Sequence, residues 1–286
     1  MLKVAAPVTL KNILVATDFS PLWDIALPFV SALAERNQAN LTLLNVIPAV
    51  IYPEIPLDPY PPGEEKQREA MMEKLGSIAD GIPVPDSNKS RVVRIGDTVQ
   101  AVLDVVADRH IDLVVVTTHG RSGFSRLVLG STAEQILRRV PCPVLTIGPK
   151  TNKALEFEKF KTILIPVDFS AESNDAAMYA VALGKEQRAK IVVLHIIDRT
   201  FPPYQIESSK IFADHEILNI DTDGLETERI VRVGAVEEEI VEAAVELGAS
   251  CMVMGRHKHG ALSTHFPFTT LHTVLSNAPC PVFTVA

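Results

Sequence analysis

The chain of 286 residues carries one sequence pattern twice, and this repeat limits what it can fold into. KNILVATDFS at 11–20 returns as KTILIPVDFS at 161–170, an offset of 150 residues. PCPVLTI at 141–147 returns as PCPVFTV at 279–285, an offset of 138. Matches in the same order along the chain indicate a duplication, so the fold must suit a single repeating unit.

The repeat divides the chain into two domains. We place the first domain at 1–149 and the second at 160–286, joined by a polar, charged linker. A third matching pair, RVVRIGDTV at 91–99 and RIVRVGAVE at 229–237, already has the offset of 138. The second half has therefore lost 12 residues (150 less 138) upstream of 229.

Each half alternates between short apolar runs and amphipathic stretches. In the first half this pattern predicts strands at 13–17, 41–47, 92–95, 112–118 and 144–148, with helices at 21–38, 64–80, 97–110 and from Ser131 onward. Ser20 before Pro21 is typical of a helix start. Strands that alternate with helices form parallel sheets. The sequence predicts an α/β fold of two Rossmann-like domains, each a five-stranded parallel sheet with flanking helices.

Composition and charge exclude several classes of function. The net charge of −8 leaves no basic face, so we expect no nucleic acid partner. No run approaches the roughly 20 apolar residues of a membrane span. Three cysteines, Cys142, Cys251 and Cys280, are too few and too far apart for a disulfide framework, and we expect reduced, packed thiols. We therefore expect a cytoplasmic protein with no membrane partner.

A ligand site is expected where parallel strands end, at the point where the strand order reverses. Ala16, Thr17 and Asp18 end the first strand, and Val46 ends the second. The Asp18 carboxylate can accept hydrogen bonds from a ribose or an adenine amine, or help to hold a metal carried by phosphates. It can equally cap the following helix, and the two roles are compatible.

The loop after the fourth strand, THGRSGFSRLVLGST at 118–132, carries the strongest functional signal. Its glycines allow close backbone approach to a ligand, and the start of the next helix favours phosphate. The residues concerned are Gly120, Gly123 and Gly130, the hydroxyls of Ser131 and Thr132, and the cations Arg121 and Arg126. No Gly-Lys-Ser/Thr follows, so this is not a Walker loop. A flexible turn with a serine cap is the alternative, and the loop's position favours phosphate.

These segments resemble the universal stress protein family in its tandem form, over nearly the whole chain. The resemblance rests on ILVATDFS at 13–20, on the glycine loop, and on AEQILRRVPCPVLTI at 133–147. The family's ATP-binding pattern is Gly, two residues, Gly, nine residues, then Gly and Ser or Thr. Gly120 and Gly130-Ser131 fit it, whereas Thr117 replaces the first glycine.

The resemblance implies ATP as the ligand, with Mg²⁺ carried by its phosphates. Asp18 and Val46 would hold the nucleoside, and the loop glycines with Ser131 would hold the phosphates. The full predicted set is Ala16, Thr17, Asp18, Val46, Val116, Thr117, His119, Gly120, Arg121, Gly123, Gly130, Ser131 and Thr132. The last strands of the two halves would pair across a pseudo-twofold axis, so that the chain forms an intramolecular pseudo-dimer.

The second half departs from the pattern in its own loop. At an offset of 138, Lys258 replaces Gly120 and Phe268 replaces Gly130, while Pro267 beside it lacks an N–H group. We expect this half to bind ATP poorly or not at all and to have a structural role. His257, His259 and His265 crowd this loop, and His272 lies on the helix that follows. Their spacing matches no structural zinc pattern, so no metal site is predicted, and whether this loop binds a metal or another ligand is left open.

The sequence leaves three functions to compare. The first is a stress-response regulator that binds ATP in its first half. The second is a slow ATPase or phosphotransferase, although no catalytic residue is predicted because no arranged base and metal are evident. The third is an interaction scaffold without a ligand. The protein partner, and whether tandem chains dimerise further, are left open.

Overall fold

Ten strands form one continuous sheet in the computed structural model, which describes residues 8–49, 64–118, 129–152, 159–256 and 269–286. The first half contains β1 (Asn12–Ala16), α1 (Trp23–Asn37), β2 (Asn40–Ile47), α2 (Glu64–Asp80), a 3₁₀ turn (Asp86–Asn88), β3 (Lys89–Ile95), α3 (Thr98–Asp108), β4 (Leu113–Thr117), α4 (Ser131–Arg139) and β5 (Val144–Ile147). The second half contains β6 (Thr162–Val167), α5 (Ala171–Gln187), β7 (Lys190–Asp198), α6 (Pro203–Leu218), β8 (Thr227–Gly234), α7 (Val236–Glu246), β9 (Cys251–Gly255), α8 (Thr269–Asn277) and β10 (Val282–Val285).

The sheet order is β3-β2-β1-β4-β5-β10-β9-β6-β7-β8. Within each half the five strands are parallel, and β5 pairs with β10 in the antiparallel sense. Leu145 lies opposite Phe283 in that pair. The predicted fold is confirmed, including the pairing of the two last strands.

Helices cover both faces of the sheet because its strands are apolar on both sides. On one face, α1, α2, α5 and α6 pack over a core that contains Ile13, Leu145 and Phe283. On the other face, α3, α4, α7 and α8 pack over a core that contains Leu14 and Val282. Each core runs from one half into the other, so the join between the halves is itself buried.

The first helix begins later than the sequence predicted. The Trp23 N–H donates to the Ser20 carbonyl at 2.9 Å, which closes a separate turn, and α1 starts at Trp23 without a side-chain cap. The prediction that Pro21 opens the helix was therefore wrong. In the second half the matching serine does cap its helix: the Ser170 hydroxyl accepts from the Ser173 N–H, and α5 starts at Ala171, which stands where the first half has Pro21.

The three cysteines are free thiols. Cys251 and Cys280 are buried, and burial raises the pKa of both. Cys142 is half-buried, and burial raises its pKa to about 11. Because the thiolate is the reactive form, all three behave as packing residues. In the described parts of the chain, none of the helices has the length and apolar character needed to cross a bilayer.

Phe283 gives a test of the join. It is fully buried and meets Phe160 edge to face, with ring centroids 5.8 Å apart. We expect Phe283→Ala to lower the free energy of unfolding by about 3–5 kcal/mol, because it leaves a cavity in the shared core. Urea denaturation followed by circular dichroism measures this.

Tyr204→Ala is the matched control, since Tyr204 is an aromatic residue with 77% of its surface exposed. We expect its effect to stay within about 0.5 kcal/mol. Equal effects of the two variants would contradict the expectation that burial of Phe283 at the β5–β10 join stabilises the fold.

Candidate functional site

The strand order reverses between β1 and β4, which are neighbours in the first half. Val15 lies opposite Val115, so Ala16 and Val116 reach the same edge of the sheet. Val46 lies in β2, on the other side of β1. Ala16, Val46 and Val116 all pack towards the layer of α3 and α4. The structure therefore brings these predicted residues together on one face, at the carboxyl ends of three strands.

The turn after β1 is defined by hydrogen bonds. The Thr17 N–H donates to the Leu44 carbonyl at 2.9 Å, and the Asn45 amide donates to the Thr17 carbonyl at 2.8 Å. The Phe19 N–H donates to the Thr17 hydroxyl at 3.0 Å, and Phe19 has a φ of 61°. Thr17 is buried, and the left-handed residue turns the chain towards α1.

Asp18 does not cap α1. Its Oδ1 accepts from the Ser20 N–H at 3.0 Å, two residues on, whereas the cap position of α1 is Leu22. The Asp18 side chain is half-buried at the carboxyl end of β1. Of the two roles predicted for Asp18, helix capping is excluded and ligand binding is still a prediction.

The second half repeats this turn with a different side chain. The Ser170 N–H donates to Asp168 Oδ1 at 3.0 Å, and Phe169 has a φ of 63°. His195 Nδ1 lies 2.8 Å from the Val167 carbonyl, where Asn45 acts in the first half. The roles of Asn45 and His195 in these turns were not predicted from the sequence. The signal that could have found them is a polar residue inside an otherwise apolar strand.

The loop after β4 is closed at its base. Thr118 is fully buried, and its N–H donates to the Ile147 carbonyl at 3.2 Å. The Thr118 carbonyl accepts from the Gly130 N–H at 2.8 Å, so the two ends of the loop meet. A Cβ at Gly130 would lie 3.3 Å from that carbonyl, which leaves little room for a side chain. The predicted residues His119, Gly120, Arg121 and Gly123 lie outside the described residues.

The N-terminus of α4 faces this closure. Gly130 is the cap residue, and no side chain caps the helix there. Ser131 and Thr132 follow as exposed residues of the first turn, so Ser131 is not the serine cap considered as an alternative. The first amides of a helix have no partner within the helix, and its dipole favours an anion. Glu134 turns away to pair with Arg138 at 2.8 Å.

Two side chains of the second half reach the ends of α4. The Leu129 N–H donates to His272 Nε2 at 3.0 Å. Arg256 is 4% exposed and donates to the carbonyls of Leu137 and Val140, and to that of Cys142 at 3.3 Å. Arg256 was not predicted from the sequence, and His272 was considered only beside the loop histidines as a possible metal ligand. Sequence alone carries no signal for contacts between distant segments such as these.

The first glycine of the family pattern has a packing role in the second half. A Cβ at Gly255 would lie 2.5 Å from the Glu172 carbonyl in the first turn of α5. In the first half α1 begins later, and Thr117, the counterpart of Gly255, is accommodated half-buried. Of the second loop, Lys258, Pro267, Phe268 and the three other loop histidines lie outside the described residues. The described residues contain no cluster of three metal-ligating side chains.

The chain belongs to the universal stress protein family. The sequence profile of that family matches residues 9–148 and again residues 159–286. A universal stress protein of Synechocystis is 27% identical over 134 residues, which is 44% of this chain and 85% of the relative. A putative universal stress protein of Staphylococcus aureus is 28% identical over 143 residues, 49% of this chain and 85% of the relative. The match to each relative thus spans about one half of this chain.

Solved structures show the tandem fold. The crystal structure of a universal stress protein from Archaeoglobus fulgidus superimposes with a TM-score of 0.71 at 19% identity. It covers 96% of this chain and 97% of its own. A putative universal stress protein from Pseudomonas aeruginosa gives a TM-score of 0.64 at 18% identity, covering 96% and 93%. At identities this low, the superpositions show a shared fold for the two halves together and nothing beyond the fold.

Asn45 tests the turn that carries Asp18. Asn45 is buried, and Asn45→Leu would leave the Thr17 carbonyl without its donor. We expect a loss of about 1–3 kcal/mol in the free energy of unfolding, measured by urea denaturation. Asn40→Leu changes an exposed asparagine of the same strand and should stay within about 0.5 kcal/mol. A neutral Asn45→Leu would show that the turn holds without this bond.

Proposed function

We propose that the chain is a stress-response protein that binds an adenine nucleotide, ATP with its Mg²⁺, in its first half. The observation that carries this is the shared position of the Asp18 turn and the uncapped N-terminus of α4. Both lie beyond the carboxyl ends of neighbouring strands, at the reversal of strand order where open α/β sheets bind ligands. A carboxylate for a nucleoside and free helix amides for phosphates meet the needs of a nucleotide.

In this proposal each group has a defined role. Asp18 and Val46 hold the nucleoside, with Ala16, Thr17, Val116 and Thr117 forming the surface beneath it. Phosphates meet Gly130, Ser131 and Thr132, together with the loop residues His119, Gly120, Arg121 and Gly123 predicted from the sequence. Carboxylate oxygen is a ligand type that Mg²⁺ accepts beside phosphate oxygens, so Asp18 fits an ion carried by the nucleotide.

The nucleotide acts in this proposal as a regulator rather than as a substrate. Phosphoryl transfer needs a positioned base, a held metal and charge stabilisation. The Asp18 Oδ1 atom accepts from the Ser20 N–H of its own turn, so this carboxylate already serves a structural contact. Occupancy of the site, rather than turnover, would then change the partners of the protein under stress. The cytoplasmic location expected from the sequence stays a prediction.

The second half is proposed as a structural partner that binds no nucleotide. Phe268 replaces Gly130, the small residue that lets a phosphate approach at the matching point of the first half. Beside the Asp168 turn, the Phe169 ring stacks on His195, with centroids 4.5 Å apart, and meets Phe212 at 5.9 Å. The second half thus has the ring of His195 at the position where the first half has the amide of Asn45.

Asp18→Asn and Asp168→Asn form a matched pair. Each keeps an oxygen for its own turn, so both variants should fold, and each removes one negative charge. We expect calorimetric titration with Mg-ATP to find one site per chain in the wild type. Asp18→Asn should weaken binding about tenfold or more, because a charged acceptor is lost. Asp168→Asn should bind as the wild type does, and equal effects of the two would contradict the assignment to the first half.

Gly130→Phe imports the bulk of the second half into the first. Because a Cβ there already lies 3.3 Å from the Thr118 carbonyl, we expect the ring to displace the loop base and abolish binding. Two sites per chain, or binding that survives this variant, would mean that the second loop was misinterpreted. No binding by the wild type would favour the scaffold function, and ADP that accumulates during the titration would favour an enzyme.

A further inference from the structure

The second half makes direct contact with the loop end of the candidate site. Helix α8 carries His272, and His272 Nε2 accepts from the Leu129 N–H at 3.0 Å. Leu129 is buried and directly precedes Gly130, the cap residue of α4. A backbone N–H can only donate, so Nε2 carries the lone pair and His272 is neutral in this contact. The contact thus holds the chain one residue before the proposed phosphate site.

The opposite end of α4 is held by the same half. Arg256 is buried and donates to the carbonyls of Leu137 and Val140, where α4 ends. A cation at a helix C-terminus satisfies carbonyls that lack helical partners and complements the dipole. Helix α4 is therefore held at both ends by side chains from across the join. Within the described residues, its N-terminal end receives one hydrogen bond from the second half.

The contact between His272 and Leu129 has no mirror image, although the fold is duplicated. At an offset of 138, the counterpart of Leu129 is Pro267, which has no N–H to donate. The counterpart of His272 is Glu134, which pairs with Arg138 on its own helix. Duplication alone would produce contacts in both directions, so a contact that runs only towards the first half needs another explanation.

We infer that the second half positions the nucleotide site of the first half, with His272 as the positioning residue. This inference rests on the proposed function. By accepting the Leu129 N–H, His272 fixes the chain just before Gly130, so that the amides of Ser131 and Thr132 point at the phosphates. Without that acceptor the buried Leu129 amide lacks a partner, and the chain shifts to find one. The half that binds no ATP thereby sets the affinity of the half that does.

His272→Leu and His272→Gln separate positioning from packing. Leucine removes the acceptor, whereas the glutamine Oε1 can accept at a reach close to that of Nε2. We expect the calorimetric Kd for Mg-ATP to rise about tenfold in the leucine variant and to stay within about threefold in the glutamine variant. Thr273→Ala, an exposed change on the same helix, should leave the Kd unchanged. The melting temperature of each nucleotide-free variant is measured alongside.

A purely structural role would lower the melting temperature of the leucine and glutamine variants alike and leave their Kd values together, which would overturn the inference. Hydrogen exchange at the Leu129 amide, without nucleotide, gives a second reading. Protection should be lost with leucine and kept with glutamine, and protection that survives leucine also overturns the inference. If the wild type binds no Mg-ATP, the proposed function fails and the role in nucleotide binding fails with it. The exchange data then show separately whether His272 holds the loop.

Discussion

The antiparallel pairing of β5 with β10 is the contact on which the rest of the structure depends. Each half alone would end in an unpaired strand, and an exposed strand edge is open to association with other chains. The pairing places Phe283 opposite Leu145 inside a core that runs through both halves. It also brings α8 next to α4, because each of these helices immediately precedes the strand that forms the join. That geometry brings His272 and Arg256 within reach of the two ends of α4.

The parts of the fold that the sequence predicted well are those set by local pattern. Helix α2 has the predicted bounds, and the strands are within a few residues of theirs, because runs of β-branched residues between polar ends define buried strands. The start of α1 was predicted wrongly, although the matching Ser170 does cap α5. In the first half the Ser20 carbonyl accepts from the Trp23 N–H in a separate turn, and the residues after the serine differ between the halves.

The candidate site also has residues that the sequence predicted and residues that it did not. The positions of Asp18, Val46 and Gly130 at strand ends followed from the order of strands, since parallel strands bring their carboxyl ends to one edge. Asn45, which holds the turn beneath Asp18, was missed because a buried polar residue is defined by its partner, and the Thr17 carbonyl is 28 residues away. Arg256 and His272 were missed for the same reason, since each acts on a segment more than a hundred residues distant.

A comparison of the two halves separates what the fold requires from what one half alone needs. The turn after the first strand of each half keeps its left-handed residue and its bond to the strand-end carbonyl, while the donor changes from Asn45 to His195. A geometry that survives a change of side chain is one that the fold requires. The contact between Leu129 and His272 has no counterpart in the second half, because Pro267 has no N–H to donate. This contact is therefore an addition to the fold, and it acts directly before the helix whose N-terminus is the proposed phosphate site.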